Sequence, residues 1–444
     1  MMFDKVVNPL DQLELIDVLQ RLGLGYRFED QIKGTLESLY NNFNNGGEDL
    51  WNCDNLYATS LAFRLLRQHR YHVSSDWFNI FQDSMGNFKA SIMKDIEGLL
   101  SLYEASYLSI EGETLLDEAK YFASKHLKEF FKNEEKDISL VKGVSHSLVI
   151  PLHWRIPKLE ARWFMEVYER SSKVNPLLLE LAKLDFNIVQ ATYQQDLKLA
   201  SSWWRRIALG EKFTFARSRL MESFLWNIGL GSEPQFSYFR RMSTAIFQLI
   251  TVEKYLNVIP YLKKVWVDLC KTYLKEAKWY HSGYKPRFEE YLENGLISVG
   301  GANVLIHNYF FGANPITMEA LACFENDYPI IIRLPSLITG LVGDLADESF
   351  STRIGDVSKS VECYVNEKGV SKGEAKAHVR SLVDQIWKKM NEDVLTNSPI
   401  PHGFKEIAVN LARMSLWIYQ YADGHTDQDP VTKDIASLLI EPVP

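Results

Sequence analysis

The sequence predicts an all-α protein. Apolar residues recur at intervals of three and four, the spacing that places side chains on one face of a helix, for example within residues 92–103, 177–188 and 379–386. The strict alternation of a half-buried strand is rare. Glycine and proline, which interrupt helices, number only 24 and 15 among 444 residues. Helices joined by short loops are therefore expected along the whole chain.

Capping residues predict where some of these helices begin and end. Gly369 stands where glycine commonly ends a helix, because glycine adopts the left-handed conformation without strain. Ser371 and Glu374 have the S-x-x-E spacing of a capping box and open an amphipathic run. The glycine pairs at 23–25 and 229–231 follow no predicted strand, so a dinucleotide-binding loop is excluded. We interpret them as helix-end or packing glycines.

The length of the chain favours two domains. A chain of 444 residues and 51.3 kDa exceeds one ordinary hydrophobic core. The most polar stretch, residues 132–137, is typical of a solvated loop between helices. We place the change of domain between Pro151 and Pro176, which gives an N-terminal domain at 1–165 and a C-terminal domain at 166–444.

Charge and cysteine content exclude several classes of function. Lys and Arg number 49 against 57 Asp and Glu, without a basic run, so neither nucleic acid nor a membrane surface is an expected partner. Four cysteines lie far apart without a C-x-x-C pair, which is typical of reduced thiols. No apolar stretch reaches the ~20 residues of a membrane span, and the residues that follow Met1 predict neither a signal peptide nor a transit segment. The chain as written is therefore expected to be cytoplasmic.

One segment combines arginines with apolar residues in a way that suits an anion. Arg217 and Arg219 lie in an otherwise apolar stretch, and guanidinium groups bind phosphate or carboxylate through paired hydrogen bonds. Tryptophans are concentrated nearby, at Trp203, Trp204 and Trp226. The local pattern leaves two interpretations open. One is an anion site beside a ring-lined pocket, and the other is a surface arginine pair beside core-packing rings.

Short motifs follow one another in a fixed order along the chain. They are Leu-Glu-Leu-Ile-Asp at 13–17, Gln-Arg-Leu-Gly-Leu-Gly-Tyr-Arg-Phe at 20–28, Leu-Ser-Leu-Tyr-Glu-Ala-Ser-Tyr at 100–107, Leu-His-Trp at 152–154, Glu-Ala-Arg-Trp-Phe at 160–164, Glu-Ala-Lys-Trp-Tyr at 276–280, Gly-Asp-Val-Ser-Lys-Ser at 355–360 and Asp-Gly-His at 423–425. Together they resemble the plant terpene synthase family, close to the monoterpene synthases of flowering plants. The resemblance extends over essentially the whole chain.

The resemblance implies both a fold and an activity. The fold is an N-terminal relict α-barrel domain followed by a C-terminal class I helical bundle that holds the active site. The activity is that of a lyase of plant isoprenoid biosynthesis, in which Mg²⁺ or Mn²⁺ assists ionisation of a prenyl diphosphate, geranyl or farnesyl. The carbocation then cyclises or loses a proton to give a terpene. The implied partner is the prenyl diphosphate, the chain is expected to be a monomer, and a longer form with a transit peptide would be plastidial.

The resemblance also assigns substrate-binding residues. Arg217 and Arg219 match the R-x-R pair that grips the diphosphate. Trp226, Tyr419 and His425 match positions that line the carbocation pocket, where aromatic rings stabilise positive charge. These five residues are therefore expected to lie near one another in the C-terminal bundle.

The metal motifs depart from the family pattern. The first, D-D-x-x-D, is missing, because a contiguous block is absent between residues 251 and 252, and the chain has no Asp-Asp pair. The second motif, located by the resemblance, keeps Asp344 and Asp347, which the resemblance implies as Mg²⁺ ligands; taken alone, this pair of carboxylates is equally typical of a solvated helix face. It is degenerate elsewhere, with Gly343 and Ser351 at two ligand positions.

Two hypotheses for function stay open at this point. The first is a terpene synthase, and the second is a catalytically inactive terpene-synthase-like protein that binds prenyl ligands or partners. The sequence decides neither the substrate length nor the product. It also leaves open whether the block is deleted or the chain is incomplete.

Overall fold

The computed structural model describes residues 3, 6–44, 54–130, 138–213, 219–231, 257–312, 316–325, 327–347, 357–420 and 430–444. Within these residues the regular structure is helical, and the only strand-like pairing is an isolated bridge between Gln82 and Phe88. The all-α prediction is confirmed. None of the described helices is long and apolar enough to cross a membrane.

The described helices are numbered here in chain order. They are α1 (Pro9–Arg21), α2 (Glu29–Asn44), α3 (Leu56–Gln68), α4 (Ile96–Ser106), α5 (Thr114–Phe130), α6 (Ile138–Val149), α7 (Pro157–Tyr168), α8 (Pro176–Ile207), α9 (Leu209–Lys212), α10 (Arg219–Leu230), α11 (Ile259–Ser282), α12 (Phe288–Ser298), α13 (Gly301–Gly312), α14 (Met318–Ala322), α15 (Ile330–Ala346), α16 (Ser360–Lys368), α17 (Lys372–Leu395), α18 (His402–Tyr419) and α19 (Pro430–Leu439). Short 3₁₀ turns occur at Gly25–Phe28, Ser75–Phe81, Ala90–Lys94 and Leu152–Trp154.

The chain divides into two compact units. One contains residues 1–187 with 443–444, and the other contains residues 188–442. The domain boundary at 165/166 that we expect from the sequence falls within the first unit, and it stays a prediction.

The first unit is built around α1, α3, α4 and α5. Apolar side chains at helical spacing pack into one core, including Leu13 and Ile16 of α1, Phe63 of α3 and Leu102 of α4, all of them buried. Gly23, which follows α1, has a φ of 75° that favours glycine, so it is a helix-end glycine as expected.

A buried group of charges surrounds Glu160 in the same unit. Arg21 Nη2 and Arg155 Nη1 donate to its two carboxylate oxygens at 2.9 and 2.7 Å. Burial alone would raise the pKa of Glu160, but the two arginines, with a smaller contribution from His146, hold it well below its usual value. The ring of His146 stacks on Trp163 with the centroids 3.6 Å apart, and burial lowers its pKa. The unit therefore depends on charge pairing as well as on apolar burial.

The second unit has α15 at its centre. This helix packs against α17 and α18, and α10 also packs against α18. The hydroxyls of Thr339 on α15 and Ser415 on α18 lie 2.7 Å apart in the buried interface. A Cβ on Gly229 would lie 1.8 Å from Met414 Sδ, so this glycine allows α10 to approach α18 closely and is a packing glycine as expected.

The predicted helix ends in this unit are also confirmed. Gly369 ends α16 in the left-handed conformation with a φ of 67°. Ser371 and Glu374 form a complete capping box at the start of α17. The predicted loop at 132–137 lies outside the described residues.

Candidate functional site

The surviving acidic motif lies at the C-terminal end of α15. Asp344 is on the last turn of this helix, and Asp347 is the residue that caps it. Next to Asp344 is Gly343, which faces the last residue of α18, because its Cβ, if present, would lie 3.6 Å from the ring of Tyr419. The structure therefore brings the predicted pocket residue Tyr419 beside the predicted metal motif.

Asp344 is held by hydrogen bonds from two neighbouring elements. The Tyr291 hydroxyl of α12 donates to Asp344 Oδ2 at 2.9 Å, and the backbone N–H of Ser360 donates to the same oxygen at 3.1 Å. Burial raises the pKa of Asp344, although the hydrogen bonds from Ser360 and Tyr291 oppose the shift. Burial and the nearby carboxylate also raise the pKa of Tyr291, so it remains a donor at neutral pH.

Asp347 is paired with a lysine. Lys359 Nζ donates to Asp347 Oδ2 and forms an ion pair with it. Lys359 directly precedes α16 and Ser360 begins it, so two of the donors to the acidic motif are consecutive in sequence. The start of α16 therefore contacts both carboxylates, and Tyr291 adds a further donor to Asp344.

The donor chemistry of the two carboxylates fits Mg²⁺, which prefers oxygen ligands. Asp344 and Asp347 are therefore the described residues that would hold the ion. The ligand set is incomplete, because no group of three or more His, Cys, Asp or Glu side chains among the described residues is placed to hold a metal. The D-D-x-x-D motif, which the chain does not contain, would supply carboxylates of this kind.

Trp226 lies half-buried on α10, whose position is fixed by α18. The side chain of Asn410, buried on α18, donates to the carbonyl of Leu230 at 3.1 Å and so caps the end of α10. The helices that carry Trp226 and Tyr419 are therefore packed together. Whether their rings line one pocket stays a prediction.

Arg217, His425 and Ser351 lie outside the described residues, and of Arg219 only the backbone, at the start of α10, is described. Their roles stay predictions from the resemblance.

Sequence reasoning did not identify three residues of this site. Lys359 and Ser360 fall in a motif that we used only as a family mark. Tyr291 carries no local signal, since a tyrosine in an amphipathic helix is usually a packing residue. Its role depends on α12 packing against α15, which a single sequence does not specify.

Both halves of the chain match family models of known proteins. Residues 1–148 match the terpene synthase N-terminal domain, and residues 205–253 and 251–389 match the terpene synthase family metal-binding domain. The second match is in two pieces that meet at 251–253.

Curated relatives resemble the chain over its full length. It is 47% identical to the chloroplastic myrcene synthase of Quercus ilex, in an alignment that covers 100% of this chain and 83% of the relative. It is 46% identical to the (−)-alpha-terpineol synthase of Vitis vinifera, with 100% and 84% covered. The Quercus ilex alignment spans 502 positions although this chain has 444 residues, so 502 − 444 leaves about 58 positions of the relative without a counterpart.

Solved structures share the fold. Isoprene synthase from grey poplar, Populus x canescens, in complex with three Mg²⁺ ions and dimethylallyl-S-thiolodiphosphate, has a TM-score of 0.88 at 38% identity, covering 98% of this chain and 93% of that one. Limonene synthase with 2-fluorolinalyl diphosphate has a TM-score of 0.90 at 34% identity, covering 100% and 92%.

Proposed function

The chain belongs to the terpene synthase family, and on that premise we propose that it converts geranyl diphosphate into a monoterpene with the help of Mg²⁺. The observation that carries the proposal is the 47% identity to a myrcene synthase over the whole of this chain. The family is one of lyases of isoprenoid biosynthesis with a metal-binding C-terminal domain.

The choice of geranyl over farnesyl diphosphate has support in the names of the relatives. Myrcene, alpha-terpineol and limonene, for which three of them are named, are ten-carbon terpenes, and the geranyl group has ten carbons. The relative named (+)-epi-alpha-bisabolol synthase, at 41% identity, makes farnesyl diphosphate the second candidate, since bisabolol has fifteen carbons.

On this proposal, the predicted site residues have the following roles. Arg217 and Arg219 bind the diphosphate, since guanidinium groups pair with phosphate oxygens. Trp226, Tyr419 and His425 line the pocket, exclude water and stabilise the carbocation through their rings.

Asp344 and Asp347 hold Mg²⁺ within this arrangement. When bound, Mg²⁺ supplies the positive charge that stabilises the leaving diphosphate. Two carboxylates are few for this task, so we propose that full activity requires the acidic block that is absent between residues 251 and 252. The alternative of an inactive binding protein has no support among the relatives, which are named as synthases.

The names of the same relatives also support a location for the protein. The myrcene synthases of Quercus ilex and Humulus lupulus are named chloroplastic, which supports a plastid location for a longer form of the chain. A cytoplasmic location of the chain as written, and a monomeric state, stay predictions.

The experiment uses a restored chain, in which the aligned block of the Quercus ilex relative is inserted between Thr251 and Val252. Geranyl and farnesyl diphosphate are supplied separately with Mg²⁺ or with a chelator, and volatile products are measured by gas chromatography. We expect a monoterpene from geranyl diphosphate only when Mg²⁺ is present. If a sesquiterpene forms from farnesyl diphosphate and no product forms from geranyl diphosphate, farnesyl diphosphate replaces geranyl diphosphate as the proposed substrate.

A matched pair of variants of the restored chain tests the metal ligand. Asp344→Asn should lower the rate by about 10²-fold or more, because a charged ligand is lost. Asp327→Asn is the control, since Asp327 is exposed and its contacts, with Arg333 at 2.8 Å and with the backbone N–H of Tyr328 at 2.9 Å, lie on the surface. Equal activity of the two variants would remove Asp344 from the proposed site.

A further inference from the structure

Lys359 stands where the chemistry of its own helix does not favour a lysine. It takes the N-cap position of α16, and its side chain makes no cap hydrogen bond to that helix. Residues whose side chains accept such bonds are preferred at an N-cap. A lysine also places positive charge near the positive end of the helix dipole. The requirements of α16 therefore do not explain this residue.

The ammonium group of Lys359 lies at the end of a different helix. Lys359 Nζ donates to Asp347 Oδ2, and Asp347 is the residue that caps the C-terminal end of α15. The carbonyl groups at a C-terminal helix end carry partial negative charge and favour a cation. Together with the carboxylate of Asp347 they form a position that attracts positive charge. In the structure Lys359 supplies that charge.

A metal ion on Asp347 would need the same position. Mg²⁺ binds carboxylate oxygens at about 2.1 Å, so an ion on either oxygen of Asp347 would lie within a few ångströms of Lys359 Nζ while the pair is intact. The side chains of Lys359 and Asp347 leave only 32% and 24% of their surface accessible, so water screens the repulsion between the two cations only in part. The ammonium group and the metal ion therefore compete for one carboxylate.

We propose that Lys359 occupies the metal position of Asp347, and that a divalent ion binds there only by displacing the ammonium group. This rests on the proposed function, because it takes Asp347 as a metal ligand. Lys359 then determines the affinity of the second metal motif, since it stabilises the carboxylate without an ion and weakens the binding of one. Because such coupling is reciprocal, an ion that binds Asp347 also weakens the hold on Lys359.

The first experiment measures the affinity of the unmodified chain for Mn²⁺ alone, by electron paramagnetic resonance of the free ion. Mn²⁺ is the probe because it prefers the same oxygen ligands as Mg²⁺. Lys359→Met removes the charge and keeps the length of the side chain, so we expect the affinity to rise at least about tenfold.

Lys368→Met is the matched control for this gain. Lys368 is exposed at the other end of α16 and pairs with Glu367 at 2.9 Å, so its substitution removes the same charge from the same helix. The Mn²⁺ affinity should change by less than about twofold, because water and salt screen an exposed charge. Far-ultraviolet circular dichroism should show the same helical content in both variants and in the unmodified chain.

Asp347→Asn separates the failure of this inference from the failure of the proposed metal ligand. Added to Lys359→Met, it should abolish the gain in Mn²⁺ affinity. If the gain persists, or if the Lys359→Met chain binds no Mn²⁺, both the inference and the metal role of Asp347 are overturned. If Asp347→Asn lowers Mn²⁺ binding by the unmodified chain but Lys359→Met does not raise it, the metal role stands and the inference alone is overturned.

The second experiment needs no variant and follows the lysine itself. The unmodified chain is labelled by reductive methylation with and without saturating Mg²⁺ at equal ionic strength, and peptide mass spectrometry reports the rate at each lysine. Mg²⁺ should raise the rate at Lys359 at least about threefold, because loss of the carboxylate partner and a nearby cation favour the neutral amine that reacts. The rate at Lys368 should stay constant. Equal rates at Lys359 with and without Mg²⁺ would contradict displacement.

Discussion

The hydroxyl of Tyr291 donates a hydrogen bond of 2.9 Å to Oδ2 of Asp344, linking α12 to the end of α15. Asp344 is one of the two carboxylates that the second metal motif retains, and it accepts hydrogen bonds from Tyr291 and Ser360. Removing the phenolic hydroxyl leaves a buried acceptor with one fewer donor. This relationship allows the site to be probed by stability as well as by activity.

We predict that Tyr291→Phe lowers the free energy of unfolding by about 1–3 kcal/mol, the cost of leaving a buried polar group underbonded. The measurement is a urea titration of the unmodified chain. Tyr284→Phe is the matched control, because Tyr284 donates to Glu290 at 2.8 Å on the surface, and its midpoint should not move. A Tyr291→Phe midpoint equal to that of the control would mean that the hydrogen bond does not contribute to stability.

Two glycines of the second unit should respond differently to a side chain. Gly229→Ala should destabilise by about 1–3 kcal/mol, because the new Cβ would lie 1.8 Å from Met414 Sδ in a packed interface. Gly343→Ala should be tolerated, since its Cβ would make an ordinary 3.6 Å contact with Tyr419. Thermal melts of both variants test the pair. A larger loss for Gly343→Ala than for Gly229→Ala would contradict the described packing of α15 on α18.

The charges around Glu160 should be essential to the first unit. Glu160→Gln removes the carboxylate that pairs with the guanidinium groups of Arg21 and Arg155, and breaking a buried pair in this way costs about 3–5 kcal/mol. Glu169→Gln is the control, because Glu169 is exposed and pairs with Lys183 at 2.7 Å. Denaturant midpoints should fall for the first variant only. An unchanged midpoint for Glu160→Gln would show that the pairs carry no net stabilisation.

The first unit should also lose stability in mild acid through His146. Burial lowers the pKa of His146 in the folded chain. At a pH below 6.5, the usual pKa of histidine, His146 binds a proton in the unfolded chain but binds it less readily in the folded chain. The folded state therefore loses stability as the pH decreases. Melting temperatures between about pH 7 and about pH 5.5 should therefore fall less steeply for His146→Gln than for the unmodified chain. Parallel curves would exclude His146 as the cause.

Much of the fold could be predicted because helical periodicity and caps are local. Gly369, Ser371 and Glu374 act within one or two turns of chain, so their pattern alone specifies the end of α16 and the start of α17. The role of Gly229 could be narrowed to helix end or packing, but its contact with Met414 depends on the approach of α10 to α18. The sequence contains no signal for that approach.

The site was less predictable, because its contacts also depend on how helices distant in sequence approach one another. The motif register identified Asp344 and Asp347 by resemblance, but their partners come from other elements, Tyr291 from α12 and Lys359 from the segment before α16. Tertiary packing decides which donor reaches which carboxylate.

The most direct test of the account compares monoterpene formation from geranyl diphosphate and Mg²⁺ by the restored and unmodified chains. The account predicts Mg²⁺-dependent product from the restored chain and a rate at least about 10³-fold lower from the unmodified chain, because most of the carboxylates that bind the metal are absent. The reverse finding, a folded restored chain that forms no terpene or an unmodified chain that is equally active, would contradict it.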